Sequence, residues 1–154
     1  MDENEYRQIY HNVNQRKCVF EKAIVAHRCT CSKAQRFHLA DREGVSCLDA
    51  GGNHTCSRLL EILHHKTGFA LHLTRPTSRL PHAKEIKVQI GGMLGIQKLL
   101  YPEKAQPQAV EDIFKLTQEA LHRFGRLEAL PYEEIVRSIV NFRGRERHRS
   151  GKDK

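Results

Sequence analysis

The cysteines are the sequence feature that most constrains the fold of this chain. All five lie in one stretch, at Cys18, Cys29, Cys31, Cys47 and Cys56, although the chain has 154 residues. Cysteines scattered at random would seldom fall so close together, so the clustering calls for a structural or chemical cause. Thiolates bind zinc, Fe–S clusters and copper(I), and a tetrahedral site needs four ligands. The stretch therefore predicts a metal centre in the N-terminal half of the chain.

The spacing of the cysteines favours a cluster over a single ion. Zinc fingers and ribbons hold the ion with two knuckles, each of which carries two cysteines with about two to four residues between them. Here the closest pair is Cys29 and Cys31, which reaches two corners of a larger cluster better than it chelates one ion. We expect an Fe–S cluster, with zinc as the alternative cofactor, although the spacings differ from those of ferredoxins. The expected ligands are Cys29, Cys31, Cys47 and Cys56, with Cys18 as the alternate ligand.

Two other interpretations of the cysteines remain open. Free cysteine packs well in a protein core, and the apolar neighbours of Cys18 fit that role, whereas the polar neighbours of Cys29, Cys31 and Cys56 do not. Disulfides or redox-active thiols are disfavoured because the cysteine count is odd and the acidic N-terminus lacks the apolar region of a secretory signal. We expect a reducing, cytoplasmic location.

Positive charge is concentrated in two segments of a chain whose formal net charge is +8. Residues 15–42 contain seven Lys or Arg against two acids, a net of +5, and residues 143–154 contain six against two, a net of +4. Basic segments suggest an anionic partner such as nucleic acid or another polyanion. The candidate polyanion-binding residues are Arg16, Lys17, Arg28, Lys33, Arg36 and Arg42.

Hydrophobic periodicity predicts a mainly α fold. Helical spacing is present in residues 6–13, 58–74 and 107–142, and the last range is typical of an αα-hairpin. Good helix formers predict a helix over residues 33–39, and residues 51–53 read as a loop. Residues 85–90 alternate polar and apolar side chains, which favours a short strand, and Gly91, Gly92 and Gly95 disfavour a regular helix after it. No apolar run approaches the roughly 18 residues that span a bilayer.

These observations predict a small helical domain with a cysteine-rich N-terminal half. Residues 1–106 form the metal-binding region, residues 107–142 form the αα-hairpin that packs on it or docks a protein partner, and residues 143–154 form a basic mobile tail. The expected function is accessory electron transfer or redox sensing, and an enzymatic role is disfavoured because no catalytic motif is evident. The alternatives are a zinc-stabilised nucleic-acid-binding module and a metal-independent interaction protein.

Overall fold

The computed structural model describes residues 2–68, 70–71, 80–103 and 109–143. Along them the chain forms six α-helices and two β-strands: α1 (Glu3–Val13), α2 (Glu21–Val25), β1 (Ala34–Leu39), β2 (Arg42–Cys47), α3 (Ala50–Thr67), α4 (His82–Leu100), α5 (Ile113–Phe124) and α6 (Tyr132–Asn141). The mainly helical fold that the sequence predicts is therefore confirmed.

Helix α1 is the amphipathic helix predicted near the N-terminus, and it is anchored on the sheet. The Asp2 carboxylate accepts a hydrogen bond from the backbone N–H of Glu5 at 2.7 Å and caps the helix. The rings of Tyr10 and Phe37 lie 5.9 Å apart between centroids. Asn14, which follows the helix, donates from its side-chain amide to the carbonyl of Val45 at 3.0 Å.

The helix predicted over residues 33–39 is wrong, because this segment is strand β1. It pairs antiparallel with β2 from Ala34–Cys47 to Leu39–Arg42. Ladder hydrogen bonds and the packing of Phe37 against Tyr10 outweigh the weak helix preference of these residues. Residues 16–18 lie along the other edge of β2, since the N–H of Cys47 donates to the carbonyl of Arg16 at 2.8 Å.

Helix α3 begins earlier than the sequence predicts. Asp49 caps it by accepting the N–H of Gly52 at 2.6 Å, so residues 51–53 form the first turn of the helix and not a loop. The helix ends at Thr67. Residues 69 and 72–74 of the predicted helix lie outside the described residues.

The strand predicted near residues 85–90 is also wrong, because these residues belong to helix α4. The glycines that disfavour a helix serve close packing between helices. A Cβ atom at Gly91 would lie 2.8 Å from the Cα atom of Ile139 in α6, and one at Gly95 would lie 3.0 Å from the Cβ atom of Ser138. The close approach of α4 and α6 thus requires glycine in the middle of a helix, which intrinsic preference opposes.

The two helices predicted at the C-terminus are confirmed as α5 and α6, joined by a 3-10 turn at Leu127–Ala129; α5 begins at Ile113, and both helices pack on α4. Asp112 caps α5, and Gly125 follows it with a φ of 88°, the left-handed conformation that glycine adopts readily. Ile135 and Ile139 of α6 are fully buried, and Ile139 packs on α4 at Gly91. Of the predicted basic tail, Arg143 is described and residues 144–154 lie outside the described residues.

No described helix is both long and apolar enough to cross a membrane.

Candidate metal centre

Four of the five cysteines line one small cavity. Cys18 precedes α2, Cys31 precedes β1, Cys47 ends β2, and Cys56 lies in the second turn of α3. The cavity has a volume of about 20 Å³, which is room for roughly one water molecule. All five cysteines are free thiols. The fold therefore brings together four thiols from four separate parts of the chain.

Backbone hydrogen bonds hold these cysteines in place. The N–H of Cys18 donates to the carbonyl of Val45 at 3.0 Å, which ties the segment before α2 to β2. The loop that carries Cys31 is tied to α5, because Asp112 accepts the N–H of Ser32 at 3.0 Å while it also caps that helix. Asp112 thus joins a cysteine loop to the C-terminal hairpin.

Apolar side chains close the cavity around the thiols. Phe20, Ile113 and Phe114 line it, and Phe20 and Ile113 are almost completely buried. Gly52 allows Phe114 to approach α3, since a Cβ atom at that position would lie 2.9 Å from the Phe114 ring. The ammonium group of Lys33 lies 5.0 Å from the centre of the same ring. The site is thus mostly apolar, with one cation at its wall.

Burial dominates the acidity of the thiols. Burial, with a smaller contribution from the neighbouring cysteines, raises the pKa of Cys18 and Cys56 to about 12. Burial also raises the pKa of Cys31, although the backbone N–H groups of Lys33 and Phe114 oppose the shift. These thiols are therefore protonated at neutral pH unless a cation or cluster takes the place of their protons.

Hydrogen-bond donors are directed at the sulfur atoms. Two backbone N–H groups, from Lys33 and Phe114, point to Cys31, and the backbone N–H of Phe20 points to Cys18. The buried Thr117 also lowers the pKa of Cys56, although its hydroxyl donates to the carbonyl of Phe114 at 3.0 Å. Such donors favour the thiolate over the thiol, and they are the groups that tune sulfur-ligated centres.

Cys29 does not line the cavity, although the spacing puts it among the expected ligands. It is 1% exposed and belongs to the hydrophobic core. Burial raises its pKa to about 12, and the charge of Arg28 opposes the shift. The cysteines that line the cavity are Cys18, Cys31, Cys47 and Cys56, and whether they are ligands stays a prediction.

The six candidate polyanion-binding residues have different contacts and do not form one surface. Arg36 pairs with Glu43 at 2.8 Å, Arg42 pairs with Glu3 at 2.8 Å, and Lys17 lies 3.7 Å from Glu21. The guanidinium of Arg28 lies over the ring of Phe142, at 5.0 Å. Arg16 donates to the carbonyl of Cys47 at 3.4 Å, and Lys33 lines the cysteine cavity. Two of the six thus lie beside the candidate site.

A separate cavity of about 1080 Å³ lies between α2, α3 and α4. At its wall the imidazole of His64 bonds to Glu85 at 2.9 Å, and Gln89 donates to the same carboxylate at 2.8 Å. The cavity lining has four carboxylates, each bonded to a protein group: Glu21, Glu61, Glu85 and Glu128. It has the same number of Lys and Arg side chains: Lys17, Lys22, Arg58 and Lys66. The lining therefore favours no class of charged ligand.

Among the described residues, no three His, Cys, Asp or Glu side chains are placed so as to hold one metal ion. Comparison with protein-family models, curated proteins and solved structures finds no match for this chain.

Sequence reasoning missed the side chains that complete the cavity. Phe20, Ile113 and Phe114 read as ordinary core residues, and Thr117 has no distinguishing neighbour in the sequence. The one available signal is at Asp112, since an acid before a helical pattern predicts a cap. Its second role, holding Ser32, depends on a contact between distant parts of the chain.

Proposed function

We propose that Cys18, Cys31, Cys47 and Cys56 bind an Fe–S cluster and that the protein is an accessory electron-transfer or redox-sensing protein. The observation that carries the proposal is that these four thiols, from four separate segments of the chain, line one cavity. Four cysteines are the usual ligand set of the common clusters.

The ligand arrangement favours a cluster over zinc. A structural zinc ion draws four ligands to about 2.3 Å from one point, and knuckles of paired cysteines usually supply them. None of the four cavity cysteines belongs to such a pair, because Cys18 and Cys31 lie in the segments before α2 and β1, Cys47 ends β2, and Cys56 lies in α3. A cluster of several iron and sulfide ions is wider, so it suits single ligands that converge from separate directions.

The surroundings of the thiols also suit a cluster. Phe20, Ile113 and Phe114 limit the access of water, which protects sulfide-bridged iron from hydrolysis. The N–H groups directed at Cys18 and Cys31 would stabilise the negative charge on cluster-bound sulfur. Lys33 would offset part of the net charge of a four-thiolate site.

Cluster binding is coupled to structural change in this proposal. The cavity of about 20 Å³ is smaller than any cluster, so the four side chains must turn outward when the cluster is inserted. The thiols also lose their protons on binding, so assembly is favoured by rising pH. Because reduced thiols are needed, we assign the protein to the cytoplasm.

The test is metal analysis of the chain purified without oxygen. We expect iron and acid-labile sulfide in equal amounts, a brown colour and a broad absorption near about 400 nm that reduction bleaches. Zinc in a colourless protein would overturn the cluster and support the zinc-stabilised module. A colourless, metal-free protein that stays folded would overturn both and support an interaction protein without metal.

A further inference from the structure

We propose that Cys31 and Cys47 form a reversible disulfide when the metal-free chain meets hydrogen peroxide, and that this bond closes the cysteine cavity to metal. The disulfide itself needs only the two thiols and the oxidant. Its regulatory consequence rests on the proposed function, because the loss of two thiols matters only to a chain that uses all four as ligands.

The sheet holds the backbones of Cys31 and Cys47 close together. Cys47 lies opposite Ala34 in the β1–β2 ladder, and the N–H of Leu48 donates to the carbonyl of Lys33 at 2.8 Å. The N–H of Ala34 donates to the carbonyl of Cys31 at 3.1 Å, and this turn folds Cys31 back toward the end of the ladder. Both thiols line the cavity of about 20 Å³, so a gap of roughly one water molecule is all that a new bond has to close.

The other cavity thiols are less well placed to pair with Cys47. The N–H of Cys18 donates to the carbonyl of Val45, which puts Cys18 opposite a residue two positions away from Cys47 on β2. Such diagonal neighbours in an antiparallel pair are about 7–8 Å apart, whereas the Cβ atoms of a disulfide are about 4 Å apart. Cys56 is fixed within α3, while Cys31 lies between elements, where the backbone adjusts more easily.

Cys31 is the thiol of the pair that attacks the oxidant. The backbone N–H groups of Lys33 and Phe114 point to its sulfur and favour the thiolate, and the Lys33 side chain lines the same cavity. Burial opposes these groups and raises the pKa of Cys31, so most of it is protonated at neutral pH. Oxidation is therefore slow at neutral pH and faster at higher pH, and the pair responds to sustained oxidant and not to a brief pulse.

The reaction consumes one molecule of hydrogen peroxide. The Cys31 thiolate attacks one peroxide oxygen, the O–O bond breaks, and the departing hydroxide takes up the proton that Cys31 released, which leaves a sulfenic acid. The Cys47 sulfur, whose thiol donates to the carbonyl of Asp49 at 3.3 Å, then attacks the Cys31 sulfur. The S–O bond breaks, and the hydroxide that leaves takes the Cys47 proton. Two thiols are thus oxidised by two electrons, and the peroxide is reduced to two water molecules.

The disulfide removes two of the four thiols that line the cavity. Cys18 and Cys56 remain, and two thiols are too few for a structural zinc ion or a common cluster. Cys29 lies in the core outside the cavity lining. A reducing compartment restores the thiols, because disulfides there are transient and serve catalysis or redox sensing.

The experiment counts the thiols of the full chain, reduced and freed of metal by a chelator, before and after exposure to hydrogen peroxide. We expect the count under denaturing conditions to fall by two from the original five, and a peptide map to join Cys31 to Cys47. Cys29→Ser is the matched control and should form the same bond. Cys47→Ser should instead accumulate a sulfenic acid at Cys31, which dimedone traps, and Cys31→Ser should form no disulfide.

The pH dependence tests the role assigned to Cys31. Its oxidation should be up to about tenfold faster at pH 8 than at pH 7, because the thiolate fraction rises with pH. An unchanged count of five thiols, a disulfide between any other pair, or dimedone adducts on Cys47 and not on Cys31 would overturn the inference.

Metal uptake is measured separately, so the two proposals fail separately. The reduced chain should take up iron and sulfide, and the oxidised chain should take up none until dithiothreitol restores the thiols. A reduced chain that binds no metal overturns the cluster and the regulatory role, while the disulfide stands. Full uptake of iron by a chain that carries the disulfide overturns the regulatory role alone.

Discussion

Burial is the property that decides the behaviour of the individual thiols. It raises the pKa of Cys18, Cys29 and Cys56 from the ordinary value of 9.0 to about 12. The folded chain therefore keeps these thiols neutral over a pH range in which the unfolded chain ionises them. A group whose pKa is raised by folding contributes stability below its unfolded pKa, and that stability is lost as the pH rises toward the folded value.

We expect the metal-free protein to lose stability between about pH 8 and pH 10. At pH 10 the loss is about 1 kcal/mol per buried thiol. The pH is then one unit above the ordinary pKa of 9.0, so the thiol is ionised in the unfolded chain, while it is still neutral in the folded chain. Urea unfolding under reducing conditions measures it. The measurement stops at pH 10 because Tyr132 would add its own loss of stability at higher pH: burial raises its pKa to about 12, from an ordinary value of 10.0.

The control for this expectation is the Cys29→Ala variant. With one of the three thiols removed, the free energy of unfolding should fall less steeply with pH than in the parent chain. Equal stability at pH 8 and pH 10 in the parent would show that burial does not control these thiols.

Asp112 is the residue that links the Cys31 loop to α5. Its carboxylate accepts the N–H of Phe114 at 3.1 Å, which caps the helix, and the N–H of Ser32 at 3.0 Å. We expect Asp112→Ala to cost about 0.5–2 kcal/mol as a lost cap and also to speed the release of iron, because the loop that carries Cys31 loses its anchor. Unfolding by urea and transfer of iron to a chelator measure the two effects.

Asp2→Ala is the matched control, since Asp2 caps α1 and lies away from the cysteine cavity. It should lower stability without a change in the rate of iron release. Equal rates of release in the two variants would contradict a positioning role for Asp112.

At this scale the sequence predicts that the cysteines lie close together, but it does not predict which of them line the cavity. Clustering identifies the five cysteines as a group, but it does not separate Cys18 from Cys29. The apolar neighbours of Cys18 predict a core residue; Cys18 does pack against the core but also lines the cavity, whereas Cys29 is fully buried in the core. The difference depends on which side chain faces the cavity, and spacing along the chain does not encode that direction.

Among the secondary-structure elements, α4 depends most on contacts with its neighbours. We expect Gly91→Ala to lower the free energy of unfolding by about 1–3 kcal/mol, because the added Cβ atom would lie 2.8 Å from the backbone of Ile139. Gly51→Ala is the control: its Cβ atom would meet only the Asp49 carboxylate, at 3.6 Å, in the first turn of α3. There alanine should be neutral or stabilise by up to about 1 kcal/mol. Similar urea midpoints for the two variants would rule out the close packing of α4 on α6.

The elements that sequence reasoning predicts well are those with strong periodicity and local caps, α1 and the hairpin of α5 and α6. It fails where tertiary contacts oppose local preference. Residues 34–39 form a strand because they pair with β2, and residues 85–90 form a helix because glycines nearby let α4 approach α6. Both contacts join residues whose partners are not apparent from a local pattern.

For the molecule as a whole, the cysteine cavity connects parts of the chain that are distant in sequence. Its lining comes from the segment before α2, both strands, α3 and α5, so the C-terminal hairpin contributes to the same site as the N-terminal cysteines. Removal of a bound cluster should therefore loosen both halves of the fold and lower its melting temperature. The division of the chain at residue 106 stays a prediction, and the shared cavity favours one cooperative unit.

Iron content of the five single cysteine-to-alanine variants, each purified without oxygen, tests the central claim most directly. The cavity contains Cys18, Cys31, Cys47 and Cys56, and Cys29 lies in the core beside it. We therefore predict that Cys29→Ala keeps the iron and colour of the parent, although the loss of a buried side chain makes this variant less stable. Each of the other four variants should lose most of its iron. Loss of iron in Cys29→Ala with full retention in Cys18→Ala, or retention in all five variants, would contradict the account.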